Sequence, residues 1–123
     1  MIGRRLSRNF VVEERELQVM CELTAIPDIT QRELACRLGV SLGAINFCMN
    51  ALIDKGFVKM NNFKHSKNKR GYVYLLTPKG LSRQSLLAKR SLSLKLKEYE
   101  HLQNEIEMLN ALVVKARKSG VGF

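Results

Sequence analysis

The sequence predicts a mainly α, α+β fold: a first helix, two short helices joined by a tight turn, a two-stranded hairpin and a long C-terminal helix. Three observations predict it. Residues 29–58 hold a capping box at Thr30 and Glu33, a glycine at Gly39 followed by a second cap at Ser41, and a stop at Gly56, which together punctuate two consecutive helices. Beyond Gly56 the apolar period falls from the helical 3.6 to about two. From Thr77-Pro78 onward no strong breaker appears before Gly120.

Met1 to Asn9 carries Arg4, Arg5 and Arg8 among Gly and Ser residues and reads as a flexible basic arm. From about Val12 to Thr24, Leu17, Met20, Cys21 and Leu23 are interspersed with four glutamates, the pattern of an amphipathic helix that supplies one wall of a small core. Pro27 and Asp28 break it. A capping box satisfies amides that a helix start leaves orphaned, so the next helix begins at Gln31. Gly39 can take the left-handed conformation past its end, Ser41 caps the following helix, and that helix runs to about Lys55. On it Ile45, Met49, Leu52 and Ile53 share one stripe, while Gly43, Ala44, Asn46, Phe47 and Asn50 fall off it. Short helix, glycine turn and second helix make a helix-turn-helix.

Phe57, Val58, Met60 and Phe63 form a first extended run, and Tyr72 to Leu76 a second one rich in strand formers. The segment Lys64-His65-Ser66-Lys67-Asn68-Lys69-Arg70-Gly71 joins them as a cationic tip, so residues 10–77 read as a winged helix-turn-helix. A basic run alone is most often a solvated loop; its place directly after the second helix gives it significance. Thr77 suits an N-cap and Pro78 the first helical position, where its missing amide is harmless. A helix from Pro78 to Ala116 would extend about 58 Å at roughly 1.5 Å per residue. In its second half Leu92, Tyr99, Ile106 and Val113 alternate with Leu102, Leu109 and Ala116 at heptad steps, interrupted at Lys95. That seam suits a partner helix, with folding back onto its own domain as the alternative. Leu81, Leu86, Leu87, Leu94 and Leu96 lie off the seam and are expected on the winged-helix core. Residues 78–118 are therefore read as a coiled-coil-like dimerisation helix and 119–123 as a disordered tail.

The 123 residues allow one modest core and no second independent domain. The net charge of +10 is unevenly placed: Met1 to Phe57 has seven basic and seven acidic residues, Val58 to Lys97 eleven basic and none acidic, and the remainder three and four. Polyanions are attracted to such a block. Cys21, Cys36 and Cys48 form no Cys-x-x-Cys pair and are odd in number, so buried small hydrophobes are expected rather than a zinc site or disulfides. His65 and His101 lack partners at ligand spacing, and no metal or cofactor is expected. No apolar run is long enough for a bilayer and no signal peptide is visible, which predicts a cytoplasmic chain with no membrane partner. No nucleophile with a nearby base, carboxylate pair or phosphate loop points to an enzyme.

The second helix of a helix-turn-helix places its N-terminal half in the major groove of duplex DNA. Leu42, Gly43, Ala44, Asn46, Phe47 and Asn50 are the residues expected at base edges: the asparagines can pair bidentately with adenine, and Phe47 or Leu42 can touch a thymine methyl. Packing beneath the wing is the other reading of Phe47. With no arginine in the set, A·T-containing half-sites are expected. Lys64, Lys67, Asn68, Lys69 and Arg70 at the wing tip, with Gln31, Arg32, Ser41 and Lys79, are expected on the phosphate backbone or minor groove. A homodimer through Leu92, Tyr99, Leu102, Ile106, Leu109 and Val113 predicts an inverted repeat with half-sites about 34–36 Å apart, or a multiple of it. The alternative function is a winged-helix protein-interaction or assembly module without sequence-specific DNA binding.

The order of helix, helix-turn-helix, basic wing, Leu75-Leu76-Thr77-Pro78-Lys79-Gly80 and a long helix with Glu98-Tyr99-Glu100 resembles the winged-helix regulators of the multiple-antibiotic-resistance (MarR) superfamily. With Ser41-Leu42-Gly43 and Ala51-Leu52-Ile53-Asp54-Lys55-Gly56, it is similar to the short branch described as MarR family EPS-associated transcriptional regulators, over roughly residues 12 to 112. The resemblance implies a bacterial DNA-binding regulator, with members linked to exopolysaccharide gene clusters. Larger members carry an Asp-x-Arg pair in the wing, build their dimer from helices at both chain ends and bind phenolic effectors between subunits. Here Ser66-Lys67-Asn68-Lys69-Arg70 has no acidic residue and there is one C-terminal helix, so neither the wing brace nor a small-molecule effector is carried over.

Overall fold

The structure, a computed structural model, describes residues 8–62 and 72–120. Along them run α1 (Arg8–Ala25), α2 (Gln31–Leu38), α3 (Leu42–Asp54), β1 (Val58–Asn62), β2 (Tyr72–Leu76) and α4 (Pro78–Lys118), in the expected order. The strands pair antiparallel, with Val58 opposite Leu76 and Met60 opposite Tyr74. The chain divides into two compact units, Met1–Ala88 and Lys89–Phe123.

In the first unit the helix ends form as their residues dictate. The Glu33 amide donates to Thr30 Oγ1 at 3.0 Å and the Thr30 amide to Glu33 Oε1 at 3.2 Å, closing the capping box. Gly39 turns left-handed at φ 68°, so the Val40 amide reaches back to the Ala35 carbonyl at 3.0 Å. Together these set a bend of 113° between α2 and α3, within the range of a helix-turn-helix. α1 begins at Arg8, a turn before the periodic pattern, so Arg8 and Asn9 are helical rather than part of a loose arm. The added turn carries Val11 and Val12 on an exposed side, where no buried stripe marks it.

The core gathers Val19, Met20 and Leu23 of α1, Ile29, Leu34 of α2, Ile45, Met49 and Leu52 of α3, Val58, Tyr74 and Leu87 of α4. Each fully buried aliphatic side chain contributes about 1.5–3 kcal/mol relative to exposure, so these contacts fix how α3 is presented. Two expectations need correcting. Cys21 and Cys36 are exposed, and only Cys48 is buried: Ala35, not its neighbour Cys36, faces the core of α2, and Val19 and Met20, not Cys21, face it from α1. Burial pushes the Cys48 thiol up to about 11, with the charge of Glu16 acting in the same direction. Leu81 and Leu86 are likewise exposed, and among the leucines of α4 within this unit Leu87 alone is buried. The first turns of α4 dock by backbone contact and an ion pair rather than by a leucine face.

That docking explains Thr77-Pro78-Lys79-Gly80. Thr77 Oγ1 accepts the Gly80 amide at 3.0 Å and donates to the Gly56 carbonyl at 2.5 Å, while the Thr77 amide donates to the Phe57 carbonyl at 3.0 Å. A Cβ on Gly80 would stand 1.9 Å from the Phe57 carbonyl oxygen, so only glycine permits this approach. Three residues on, Arg83 reaches Glu16 through two hydrogen bonds, Nε to Oε2 at 3.3 Å and Nη2 to Oε1 at 3.2 Å. Glu16 is 4 % exposed, a buried carboxylate answered by its partner.

In the second unit α4 runs on to Lys118, with Gly120 left-handed at φ 80°. Leu92, Tyr99, Leu102, Ile106 and Leu109 are 48–59 % exposed; Val113 is half-buried. No single helix among the described residues is long and apolar enough to cross a membrane.

Candidate nucleic-acid interface

α3 divides its residues between two sides. Ile45, Cys48, Met49 and Leu52 face the core, while Leu42, Gly43, Asn46, Phe47 and Asn50 are exposed and Ala44 is half-buried. Ser41 caps the helix by accepting the Ala44 amide on Oγ at 3.0 Å, which commits its hydroxyl oxygen to the helix start before any phosphate contact. Phe47 is 77 % exposed, so it stands in solvent rather than beneath the wing. Around Gly43 an added Cβ would meet only Ser41 Oγ, at 4.0 Å. The fold's own packing does not require glycine there, and the small residue leaves room for a surface to come close.

The polar residues of this surface are joined. Asn50 Nδ2 donates to Asn46 Oδ1 at 3.2 Å, Asn46 Nδ2 donates to Gln31 Oε1 at 3.2 Å, and Gln31 Nε2 donates to Tyr74 Oη at 3.1 Å. The pattern places Gln31, Asn46 and Asn50 on the surface one by one; the relay through Tyr74, 43 residues from Gln31 in sequence, is beyond local periodicity. One signal does exist: a tyrosine inside an apolar strand that becomes buried needs a partner for its hydroxyl. Tyr74 is 3 % exposed, and its amide donates to the Pro27 carbonyl at 3.1 Å.

The cations are distributed less simply than their sequence positions suggest. Arg32 is exposed beside Gln31, with no ion pair among the described residues. Arg37 is bound to Glu22 of α1, Nη2 to Oε1 at 3.3 Å, and its hydrogen bonding and charge hold the Glu22 carboxyl below the usual carboxylate range. Lys79 Nζ lies 5.4 Å from the centre of the Phe57 ring and Arg83 Cζ 5.7 Å, both in cation–π range. Lys79 remains exposed. Lys64, Lys67, Asn68, Lys69 and Arg70 lie outside the described residues. Among the described residues no group of three or more His, Cys, Asp or Glu side chains is placed to hold a metal ion.

Residues 13–59 match the family model described as winged helix-turn-helix DNA-binding. No curated protein sequence matches. Among solved structures, FabT of Streptococcus pneumoniae in complex with DNA is 21 % identical, over 91 % of this chain and 78 % of that one, with a TM-score of 0.57. PcaV of Streptomyces coelicolor is 20 % identical over 88 % and 79 %, with a TM-score of 0.61. A MarR/EmrR family regulator from Acinetobacter sp. ADP1 is 22 % identical over 85 % and 73 %, at 0.59. The chain therefore has a winged helix-turn-helix fold, shared with these solved structures.

Proposed function

We propose that this chain is a dimeric, sequence-specific regulator of transcription that binds double-stranded DNA, with α3 reading base edges in the major groove. One observation carries the reading: the side of α3 turned from the core holds an uncovered phenylalanine, 77 % exposed, between asparagines and beside a glycine. An aromatic so placed contributes nothing to the fold, whereas a thymine methyl or a stacked base edge gives it apolar contact. The FabT complex supports the use of this fold on DNA. Affinity comes mainly from phosphates, through Arg32, Lys79 and the wing-tip cations Lys64, Lys67, Lys69 and Arg70. The half-exposed seam of Leu92, Tyr99, Leu102, Ile106 and Leu109 supplies the dimer contact, as such a stripe is a liability until another helix covers it. Exopolysaccharide gene clusters are the candidate targets, on the sequence resemblance alone.

Selection of bound duplexes from a random pool tests this reading. The expected product is an inverted repeat whose half-sites contain A·T pairs at the positions contacted by Asn46 and Asn50. A G-rich core, or recovery with no sequence preference, would contradict it.

A further inference from the structure

We propose that Tyr74 is a positioning residue for base reading: held in the core, it sets the orientation of the Asn46 carboxamide through Gln31. The inference deepens the proposed function and rests on α3 being the reading helix. Its basis is the relay Asn50–Asn46–Gln31–Tyr74, whose three hydrogen bonds of 3.2, 3.2 and 3.1 Å connect α3, the first residue of α2 and strand β2. Its inner end is rigid, because the Tyr74 ring is 3 % exposed and its amide is bonded to Pro27. Gln31 is also restrained, since it follows Thr30 of the capping box. Its outer end is an exposed asparagine pair one helical turn apart.

The hydrogen-bond inventory gives the relay a consequence. A carboxamide has two N–H donors and two acceptor lone pairs. Asn46 uses one donor toward Gln31 and one lone pair toward Asn50, and it keeps one of each. A donor beside an acceptor, fixed in direction, is what the N7 and N6 amino edge of adenine demands. An unrestrained asparagine can swing its carboxamide over and present the pair in reverse, and it loses rotamer freedom on binding. Removing the phenolic oxygen leaves Gln31 Nε2 without its inward acceptor and frees the amide behind Asn46 to turn. Tyr74 thereby acts on specificity without touching the duplex, and it does so from the wing strand.

The test is a single-base-pair substitution scan of a duplex selected by the wild-type protein, read by fluorescence anisotropy. It is run on the full chain and on Tyr74→Phe, Gln31→Ala and Asn46→Ala, with a non-specific duplex alongside. Wild type should disfavour loss of one A·T pair by about tenfold or more, and Asn46→Ala should abolish that preference, which identifies the position. Tyr74→Phe and Gln31→Ala should each lose about two- to tenfold of the discrimination at that same position. The affinity of Tyr74→Phe for the non-specific duplex and the thermal midpoints of both variants should stay near wild type. Gln31→Ala reports on the relay without altering the core, so a poorly folded Tyr74→Phe does not decide the matter. Wild-type discrimination in Gln31→Ala and in any folded Tyr74→Phe would overturn the positioning role while leaving α3 as reader. If Asn46→Ala changes nothing, or wild type shows no preference, the reading of α3 itself fails and the relay proposal falls with it.

Discussion

Glu16 and Arg83 show how much of this structure turns on single side chains that no local pattern marks. Their pair is unequal: the Glu16 side chain is 5 % exposed and that of Arg83 22 %. Truncating glutamate leaves an arginine that can swing outward to water, whereas truncating arginine leaves a carboxylate sealed in the core without its partner. Arg83→Ala should therefore destabilise by about 2–4 kcal/mol and Glu16→Ala by roughly half as much, read as urea unfolding midpoints. Equal losses, or a larger one for Glu16→Ala, would show that the carboxylate finds water or another donor. The same scale explains the two exposed cysteines, since one residue's rotation on a helix decides which neighbour meets the core.

At the scale of elements, α2, α3 and their turns were legible because their signals are local. Thr30 with Glu33, Gly39, Ser41 and Gly56 each act within a few residues, and each forms the cap or turn its chemistry demands. The outward set of α3 was legible for the same reason, as the stripe Ile45, Met49 and Leu52 defines its complement. What was hidden depends on partners distant in sequence. Glu16 looks like one more surface glutamate until Arg83 arrives 67 residues later, and the leucines Leu81 and Leu86 look like core until Gly80 docks the helix by backbone instead. Gln31, expected on phosphate from its place in the sequence, is hydrogen-bonded to Asn46 and Tyr74 as well, partners that no local pattern marks. Lys67→Ala should weaken binding to all duplexes alike and lower the slope of log affinity against log salt by about one unit. Titrations at several salt concentrations check this, and an unchanged slope would remove the wing from the electrostatic contact.

For the whole molecule the decisive property is the number of chains presented to DNA. With Leu102, Ile106 and Leu109 each about half exposed, the proposed dimer should have twice the 14.0 kDa chain mass by light scattering. Replacing Ile106 and Leu109 with glutamate should give monomers that keep their helices and lose affinity for an inverted repeat more than for an isolated half-site. A wild-type monomer at micromolar concentration would exclude the seam as the dimer contact. The central claim, that the uncovered side of α3 reads sequence, is tested most directly by the double variant Asn46→Ala with Asn50→Ala. Its affinity for the selected duplex and for a scrambled one is measured by anisotropy at physiological salt. The account predicts that affinity for the selected duplex falls to that for the scrambled one, with the thermal midpoint unchanged; a double variant that still prefers the selected duplex as strongly as wild type would contradict it.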